Sequence, residues 1–180
     1  RQVLLLALCA DFVLYWLHRA YHEVPILWPF HAVHHSAEHM DWLAGSRTHL
    51  VQTIVDRTFA MVPLYLLGPT QEALNLYVVL AALQAVFTHA NVGVPTGPLK
   101  YLLVTPQFHH WHHSSDQPAI DTNYAVHFPL FDRLFGTYHM PDQHWPIAYG
   151  TTKRIPRTFF GQLAHPFRRQ APVEELGEGS

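Results

Sequence analysis

The chain has 180 residues, and its 16 histidines outnumber both the 11 Lys plus Arg and the 13 Asp plus Glu. Apolar residues make up 49% and charged residues only 13%, whereas soluble domains carry roughly 25% charged residues. This balance excludes a disordered polar chain, and the single cysteine, Cys9, excludes a disulfide-stabilised scaffold. The formal net charge of −2 argues against nucleic-acid binding by phosphate neutralisation. An apolar chain this rich in imidazole points to a metal site, a membrane or both.

The length is that of one domain, which we place at residues 1–170 and expect to be followed by a disordered tail at 171–180. The chain begins with Arg1 and enters an apolar stretch directly, without the pattern of a cleaved signal peptide. We therefore expect further residues, including membrane helices, to precede it in the complete protein.

The first predicted helix is apolar over residues 3–17, where Asp11 is the one interruption, and it continues to His22 before Pro25 ends it. A second, shorter helix is predicted over residues 29–40. The first helix could be the inner end of a membrane span.

Residues 50–67 and 73–88 are predicted to form a helical hairpin in or on the bilayer. The second arm contains no charged residue and is the best spanning candidate in the chain. Asp56 and Arg57 in the first arm argue against full exposure of that arm to lipid, because charges near the bilayer centre are costly. The alternative is a soluble domain in which both arms are buried.

A further helical run is predicted after Pro106, with five histidines between positions 109 and 127, and Gly136 ends this region. From residue 141 the chain becomes basic and aromatic, which fits either the cytoplasmic surface of a membrane or a solvated tail. The predicted fold class is all-α: an integral membrane helical bundle or hairpin with a histidine-rich cytosolic helical cap.

Eight histidines fall into three clusters at helical spacing, and two of the clusters share the pattern HxxHH: His18 and His22; His31, His34 and His35; His109, His112 and His113. Residues at i, i+3 and i+4 share one helical face, so their imidazoles can converge on a metal ion at about 2.0–2.2 Å. Eight neutral nitrogen donors exceed the needs of one metal ion and suit two.

The remaining histidines divide by position. His89 ends the best spanning helix and is expected to be a ninth ligand, whereas His110 shares a helix with three ligands but points elsewhere. His39 could be a ligand or a supporting residue, and His49 could orient a ligand. The other four are expected to form hydrogen bonds or interfacial contacts: His127, His139, His144 and His165.

The clusters contain no cysteine and no repeated ExxH, which disfavours thiolate and carboxylate-bridged sites. Imidazole binds iron, zinc and copper alike, so spacing does not select the metal. A two-metal site at the mouth of membrane helices suits dioxygen chemistry on lipids, because an alkyl chain can enter from the bilayer. Cleavage of an unactivated C–H bond needs a redox metal, which favours iron, with zinc as a substitute ion.

The chain resembles the fatty acid hydroxylase superfamily of membrane di-iron oxygenases, also called the sterol desaturase family. The resemblance covers roughly residues 10–150 and is closest to bacterial members. Ala125 and Phe131 stand where many members have glycine and tryptophan, which leaves the subfamily open. The motifs that carry the resemblance are HRAYH at 18–22, HAVHH at 31–35, THAN at 88–91, TPQFHHWHH at 105–113, DTNY at 121–124 and FDRLFGTY at 131–138.

By this resemblance, two iron ions would use dioxygen and two external electrons to hydroxylate or desaturate a lipid such as a sterol, fatty acyl chain or sphingolipid. The electrons would come from a separate redox protein and reductase, since the chain has no Rossmann glycine motif and no haem CxxCH motif. The protein would be multi-pass, in a bacterial inner membrane, with its active site facing the cytoplasm. The implied iron ligands are His18, His22, His31, His34, His35, His89, His109, His112 and His113.

Supporting residues are expected just after the third cluster. A metal-bound histidine usually donates its second ring N–H to a carboxylate or carbonyl, which fixes its orientation. We expect Asp121, together with Asn123, Tyr124 and His49, to play this part. The alternative for Asp121 and Asn123 is a plain turn or helix cap, which both residue types favour.

Two other functions are compatible with these residues. A membrane zinc hydrolase would need a general base, for which Glu23 or Glu38 is available. A metal-binding membrane protein without catalysis would keep the same scaffold.

Overall fold

The computed structural model describes residues 1–141 and 144–168, so the predicted tail at 171–180 lies outside the described residues. Within those ranges the chain is all-helical and forms no β-strand. There are three long helices, two short ones that carry histidines and two further short ones, and a 3-10 turn follows α2, α4, α5 and α7. The α-helices are α1 (Gln2–Glu23), α2 (Trp28–His35), α3 (Leu50–Leu66), α4 (Gln71–His89), α5 (Pro106–His112), α6 (Leu130–Phe135) and α7 (Phe159–Ala164).

The three long helices pack on one another through small and apolar side chains. Leu6 and Ala10 of α1, Leu64 of α3 and Tyr77 of α4 form one buried cluster. The predicted hairpin is confirmed as two helices, because α3 and α4 are joined by a tight turn in which Gly68 has a φ of 64°. Such a φ strains any residue with a Cβ atom.

Two helices, α1 and α4, are long and apolar enough to cross a membrane. Only 22% of the apolar window in α1 and 17% of that in α4 is buried within the protein. An apolar core helix of a soluble domain is mostly buried, so these exposed apolar faces suit lipid. The apolar surface extends over the end of α3 and the middle of α4, where Leu66 and Leu83 are 78% and 62% exposed.

Two predicted helices are shorter than the sequence indicates. The second ends at His35 and not near residue 40, and the histidine-rich run ends at His112 and does not continue to residue 127. After His112 the chain meets Pro118 and Pro129, and Asp121 and Asn123 adopt positive φ angles of 58° and 59°. Neither feature is compatible with a continued α-helix.

The segment after the third cluster is held against α1 by Asp11, the charged residue that interrupts the apolar stretch. Asp11 is fully buried. Its Oδ1 accepts backbone N–H groups from Val126 at 2.7 Å and His127 at 2.9 Å, and its Oδ2 accepts that of Phe128 at 2.8 Å. A charge that is costly in an apolar helix thus satisfies three backbone donors of a non-helical segment.

Asp132 of α6 holds the same segment from its other side. Its two carboxylate oxygens accept the backbone N–H groups of Tyr124 at 2.7 Å and Ala125 at 2.8 Å. Burial raises the pKa of Asp132 to about 6, against the opposing effect of these hydrogen bonds and of one from Thr137. Two buried carboxylates therefore fix the position of residues 124–128.

Candidate metal centre

Nine histidines converge into two compact groups of ring nitrogens, and within each group the donor atoms lie within 4.8 Å of one another. All nine histidines expected as ligands are in these groups, and the described residues add no other member. The first group is His18, His22, His31, His35 and His112; the second is His34, His89, His109 and His113.

The first group joins α1, α2 and α5. His35 Nε2 lies 3.1 Å from His31 Nε2, one helical turn away on α2, and 2.9 Å from His112 Nε2 of α5. His18 Nε2 of α1 lies 3.0 Å from His31 Nε2. Nε2 of the fifth member, His22, is buried without a hydrogen-bond partner.

The second group joins α2, α4 and α5. His89 is the last residue of α4, and its Nε2 lies 3.3 Å from His34 Nε2 and 2.9 Å from His109 Nε2. His113 Nε2 lies 3.1 Å from His109 Nε2.

The two HxxHH motifs divide between the groups in opposite ways. The motif on α2 gives its first and third histidines to the first group and its second histidine to the second group. The motif at α5 gives its first and third histidines to the second group and its second to the first. Each motif therefore contributes to both groups, which ties the two sites into one centre.

Four of the nine rings have a known tautomer, because their Nδ1 atoms face backbone carbonyl oxygens. His18 Nδ1 lies 2.7 Å from Tyr124 O, and His112 Nδ1 lies 2.8 Å from Thr122 O. His34 and His89 are bound in the same way, to Arg47 O at 3.1 Å and Ala85 O at 2.7 Å. A carbonyl oxygen only accepts, so each Nδ1 is protonated and each Nε2 of the neutral ring carries a lone pair.

These lone pairs face one another, as the His34–His89 pair shows. Two acceptor nitrogens 3.3 Å apart cannot hydrogen-bond to each other, and their buried lone pairs repel. A metal ion between them, at about 2.0–2.2 Å from each nitrogen, turns the same arrangement into a ligand set with nitrogens about 3 Å apart. The donors present therefore fit a metal ion in each group.

Burial keeps the six ligand histidines of the two HxxHH motifs neutral. Burial lowers their pKa values well below 6.5, and neighbouring imidazoles lower them further. The histidines affected are His31, His34, His35, His109, His112 and His113. Metal ions bind the neutral ring, so the centre is prepared for ligation at neutral pH.

Side chains from two other elements face ring nitrogens of the first group. Asp121 Oδ1 accepts from His22 Nδ1 at 3.1 Å, which is the part expected of Asp121. Gln52 Oε1 lies 3.2 Å from His31 Nδ1, and the Gln52 amide donates to Asp56 Oδ2 at 3.2 Å. Gln52 was not among the expected residues, although its spacing of four residues from Asp56 in a mostly apolar helix was a usable signal.

The other expected supporting residues have different contacts. Tyr124 supports the centre through its carbonyl oxygen, and its ring packs on His18. Asn123 instead donates to the carbonyl oxygens of Phe108 and His139. His49 caps α3, since its Nδ1 accepts from Val51 N, and its Nε2 donates to the Leu163 carbonyl of α7.

The remaining histidines lie apart from the two groups, as expected for His110. His110 Nδ1 lies 3.0 Å from the Tyr149 hydroxyl. His39 is exposed and belongs to neither group. His127 bonds to Gln84 Oε1 at 2.7 Å.

A cavity of about 290 Å³ opens onto both groups from between α1, α3 and α4. Its metal end is lined by histidines of both groups, among them His18 and His89, and its far end by small and apolar side chains such as Ala60, Met61 and Ala81. Glu23 and Glu38, the bases available to a hydrolase, do not line the cavity; Glu23 is paired with Arg19 at 2.7 Å.

Comparison with known proteins agrees with this geometry. Residues 3–137 match the family described as fatty acid hydroxylase. The chain is 36% identical over 177 residues to the ornithine lipid hydroxylase OlsE of Rhizobium tropici, an alignment that covers 98% of this chain and 54% of that protein. It is 33% identical over 145 residues to the alkylglycerol monooxygenase of Homo sapiens, covering 81% of this chain and 32% of that protein.

A more distant relative is the very-long-chain aldehyde decarbonylase GL1-11 of Oryza sativa, with 32% identity over 138 residues, 76% of this chain and 52% of that protein. No solved structure matches the chain. The chain spans about half the length, or less, of these curated relatives. With three quarters of its residues matched and the expected histidines assembled in two groups, the chain belongs to the fatty acid hydroxylase family.

Proposed function

We propose that the chain is the catalytic part of a two-iron membrane oxygenase that inserts one oxygen atom of dioxygen into a lipid C–H bond. The observation that carries the proposal is the pair of buried histidine groups, whose Nε2 lone pairs face one another at the end of an apolar cavity. The relatives support hydroxylation over desaturation, since one is named a lipid hydroxylase and another a monooxygenase.

The histidine groups would each hold one iron ion. Iron supplies the redox chemistry needed to activate dioxygen and cleave an unactivated C–H bond, which redox-inert zinc cannot supply. The protein orients the ligands: the carbonyls of Tyr124 and Thr122 and the carboxylate of Asp121 accept ring N–H groups and aim the opposite nitrogens inward.

The cavity would bind the lipid with its reacting carbon near the histidine end. Its apolar end, built by α3 and α4, takes the alkyl chain and excludes water from the reacting end. Because α1 and α4 expose apolar faces, we propose that the chain is multi-pass and that the lipid enters from the bilayer. We further propose that the histidine end faces the cytoplasm, where an external redox protein delivers two electrons.

Comparative lipid analysis tests the function. Cells with the intact protein are expected to contain a lipid heavier by one oxygen atom than its counterpart in cells that carry His112→Ala. His110→Gln, on the same helix but outside both groups, is expected to retain the product. A product lighter by two hydrogens would show desaturation. A product retained in His112→Ala would overturn the proposal in favour of a metal-binding protein without catalysis.

A further inference from the structure

A short aromatic stretch near the end of the described chain is exposed. It consists of α7 and of the 3-10 turn His165–Phe167 that follows α7 directly. Phe159, Phe160 and Phe167 are 72%, 78% and 70% exposed. Large apolar side chains that stand together in this way mark a surface that another apolar body covers.

The residues that lead into α7 are basic. Lys153, Arg154 and Arg157 are exposed. Residues 153–167, which we call the basic–aromatic segment, contain no acidic residue. Arg157 lies 3.4 Å from Glu38, but both side chains are exposed, so this ion pair is weak. The segment therefore presents positive charge beside exposed aromatic rings.

The segment is folded tightly at the point where the helix begins. The hydroxyl oxygen of Thr158 accepts the backbone N–H group of Gly161 at 3.2 Å. A Cβ atom at position 161 would lie 2.7 Å from Pro156 Cβ, so glycine is needed for the chain before α7 to pack this closely on the helix. The outward position of Phe159 and Phe160 is therefore set by the fold of the turn.

Contacts on its inner side attach the segment to α2 and to the start of α3. The carbonyl oxygen of Leu163 accepts from His49 Nε2 at 3.0 Å. The Phe167 ring packs edge-on against Phe30 of α2, with ring centroids 5.6 Å apart. These contacts fix the segment to the protein and involve neither phenylalanine of α7.

The exposed apolar surface of α3 begins beside the segment. Leu50 directly follows His49 in the chain, and Leu50 and Ile54 are each 57% exposed. The start of α3 belongs to the metal end of the helices, because Gln52 contacts His31 there. With α1 and α4 across a bilayer, this end is at the level of the lipid headgroups.

We propose that the basic–aromatic segment binds the bilayer surface at the metal end. Phe159 and Phe160 would lie among the upper parts of the acyl chains, and the three basic side chains would bind the phosphates of anionic lipids. Phenylalanine beside Lys and Arg is typical of segments that lie in the membrane interface, and basic residues near an anionic membrane strengthen binding.

Lipid is favoured over an acidic protein as the occupant of this surface. A protein partner would satisfy the charges, but the adjoining exposed side chains of α3 face the apolar layer of the bilayer, so lipid covers both surfaces without a break. The proposal rests on the membrane position of α1 and α4, and it does not depend on iron or on oxidation.

Site-specific fluorescence in vesicles tests this placement. Cys9→Ala removes the single cysteine, and Phe160→Cys then carries a nitrobenzoxadiazole dye on the full chain. The vesicles are phosphatidylcholine with phosphatidylglycerol. The dye at position 160 is expected to emit at shorter wavelength than at position 117, where Gln117 is exposed beyond α5. It is also expected to be quenched by nitroxide groups placed near the headgroups.

Charge variants connect the placement to the basic side chains. Vesicles of phosphatidylcholine alone are expected to reduce the wavelength shift at position 160, and so is the combined replacement of Lys153, Arg154 and Arg157 by glutamine. Lys153→Arg keeps the charge and is expected to keep the full shift. A shift that stays the same without phosphatidylglycerol and in the glutamine variant would overturn the binding of anionic lipid.

A reference position in α4 separates this proposal from the membrane position of the helices. Leu83 is exposed in the middle of α4, and a dye at Leu83→Cys is expected to be quenched by nitroxide groups deep in the acyl chains. Deep quenching there, with water-like emission at position 160, would overturn this proposal and leave the proposed function standing. A shift at position 160 that grows with the protein-to-lipid ratio would show contact with a second chain and also overturn it. No quenching at position 83 would overturn the membrane position on which both proposals rest.

Discussion

His35 and His112 are separated by 77 residues in sequence, yet their Nε2 atoms lie 2.9 Å apart. His35 is the last residue of α2 and His112 the last residue of α5. His112 is the second histidine of the motif at α5. It joins His31 and His35, the first and third histidines of the motif on α2, in the first group. The contact makes a direct prediction about metal content.

Replacement of His112 by alanine is expected to remove metal from the first group and spare the second. Elemental analysis should fall from two metal ions per chain toward one, because the first group loses its only donor from α5. His110→Gln is the matched control and is expected to keep both ions. Unchanged metal content in His112→Ala would contradict the assignment of His112 to a metal site.

Substitution Gly45→Ala is expected to disturb the second group from outside. A Cβ atom at position 45 would lie 2.8 Å from His89 Nδ1, which is closer than side-chain contacts allow. The His89 ring must move, which breaks its hydrogen bond to Ala85 O. Chelator competition should show about a tenfold loss of affinity for one of two ions. Gly93→Ala, with open space around it, should bind both ions normally.

The carboxylate of Asp121 is expected to increase the affinity of the first group for a metal ion. Asp121→Asn removes the charge that accepts from His22 Nδ1, while asparagine tolerates the positive φ of 58° at this position. Zinc affinity of the first group should fall about tenfold. Asp116 is a nearby carboxylate with no hydrogen bond to a ring of either group, so Asp116→Asn should leave zinc affinity unchanged. An equal fall of zinc affinity in both variants would point to a general effect of charge and contradict the role of Asp121.

Asp11 is expected to stabilise the fold more than exposed carboxylates do. In Asp11→Ala one buried and two half-buried backbone N–H groups lose their acceptor, which should lower the free energy of unfolding by about 3 kcal/mol. In Asp41→Ala the exposed N–H group of Leu43 regains water and that of Ala44 keeps its bond to the Asp41 carbonyl oxygen, so the loss should stay below about 1 kcal/mol. Denaturation in detergent micelles measures both, and equal losses would contradict the structural role of Asp11.

The stability contributed by His127 is expected to depend on pH. Burial lowers the pKa of His127 from 6.5 to about 4. Between these values the unfolded chain binds a proton that the folded chain does not, so this contribution is lost as the pH falls from 6.5 to 4. The difference in unfolding free energy between the native chain and His127→Gln should shrink by up to about 3 kcal/mol over that range. A difference that is constant with pH would show that His127 is accessible to solvent protons.

The sequence predicts the local features of this molecule well. Spacing of i, i+3 and i+4 places His31 and His35 on one helical face, and the uncharged stretch at 73–88 identifies α4. These features depend only on helical geometry, which a short segment determines by itself.

Features that depend on how helices cross are not readable from the sequence. The division of each HxxHH motif between two groups requires the relative orientation of α2 and α5. The helical run predicted toward residue 127 ends at His112, and Asp11 of α1 and Asp132 of α6 bind the backbone N–H groups of residues 124–128 in its place. Gln52 acquires its contact with His31 in the same way, through the packing of α3 against α2.

The most direct test of a two-iron lipid oxygenase is a single turnover with isotope-labelled dioxygen. The purified chain is loaded with iron, reduced without oxygen, and mixed with membrane lipid extract and heavy dioxygen, with a zinc-loaded sample in parallel. The account predicts two iron ions per chain and one heavy oxygen atom in a lipid product, from the iron-loaded sample alone. A product with oxygen from water, or equal activity with zinc, would contradict it and indicate hydrolysis.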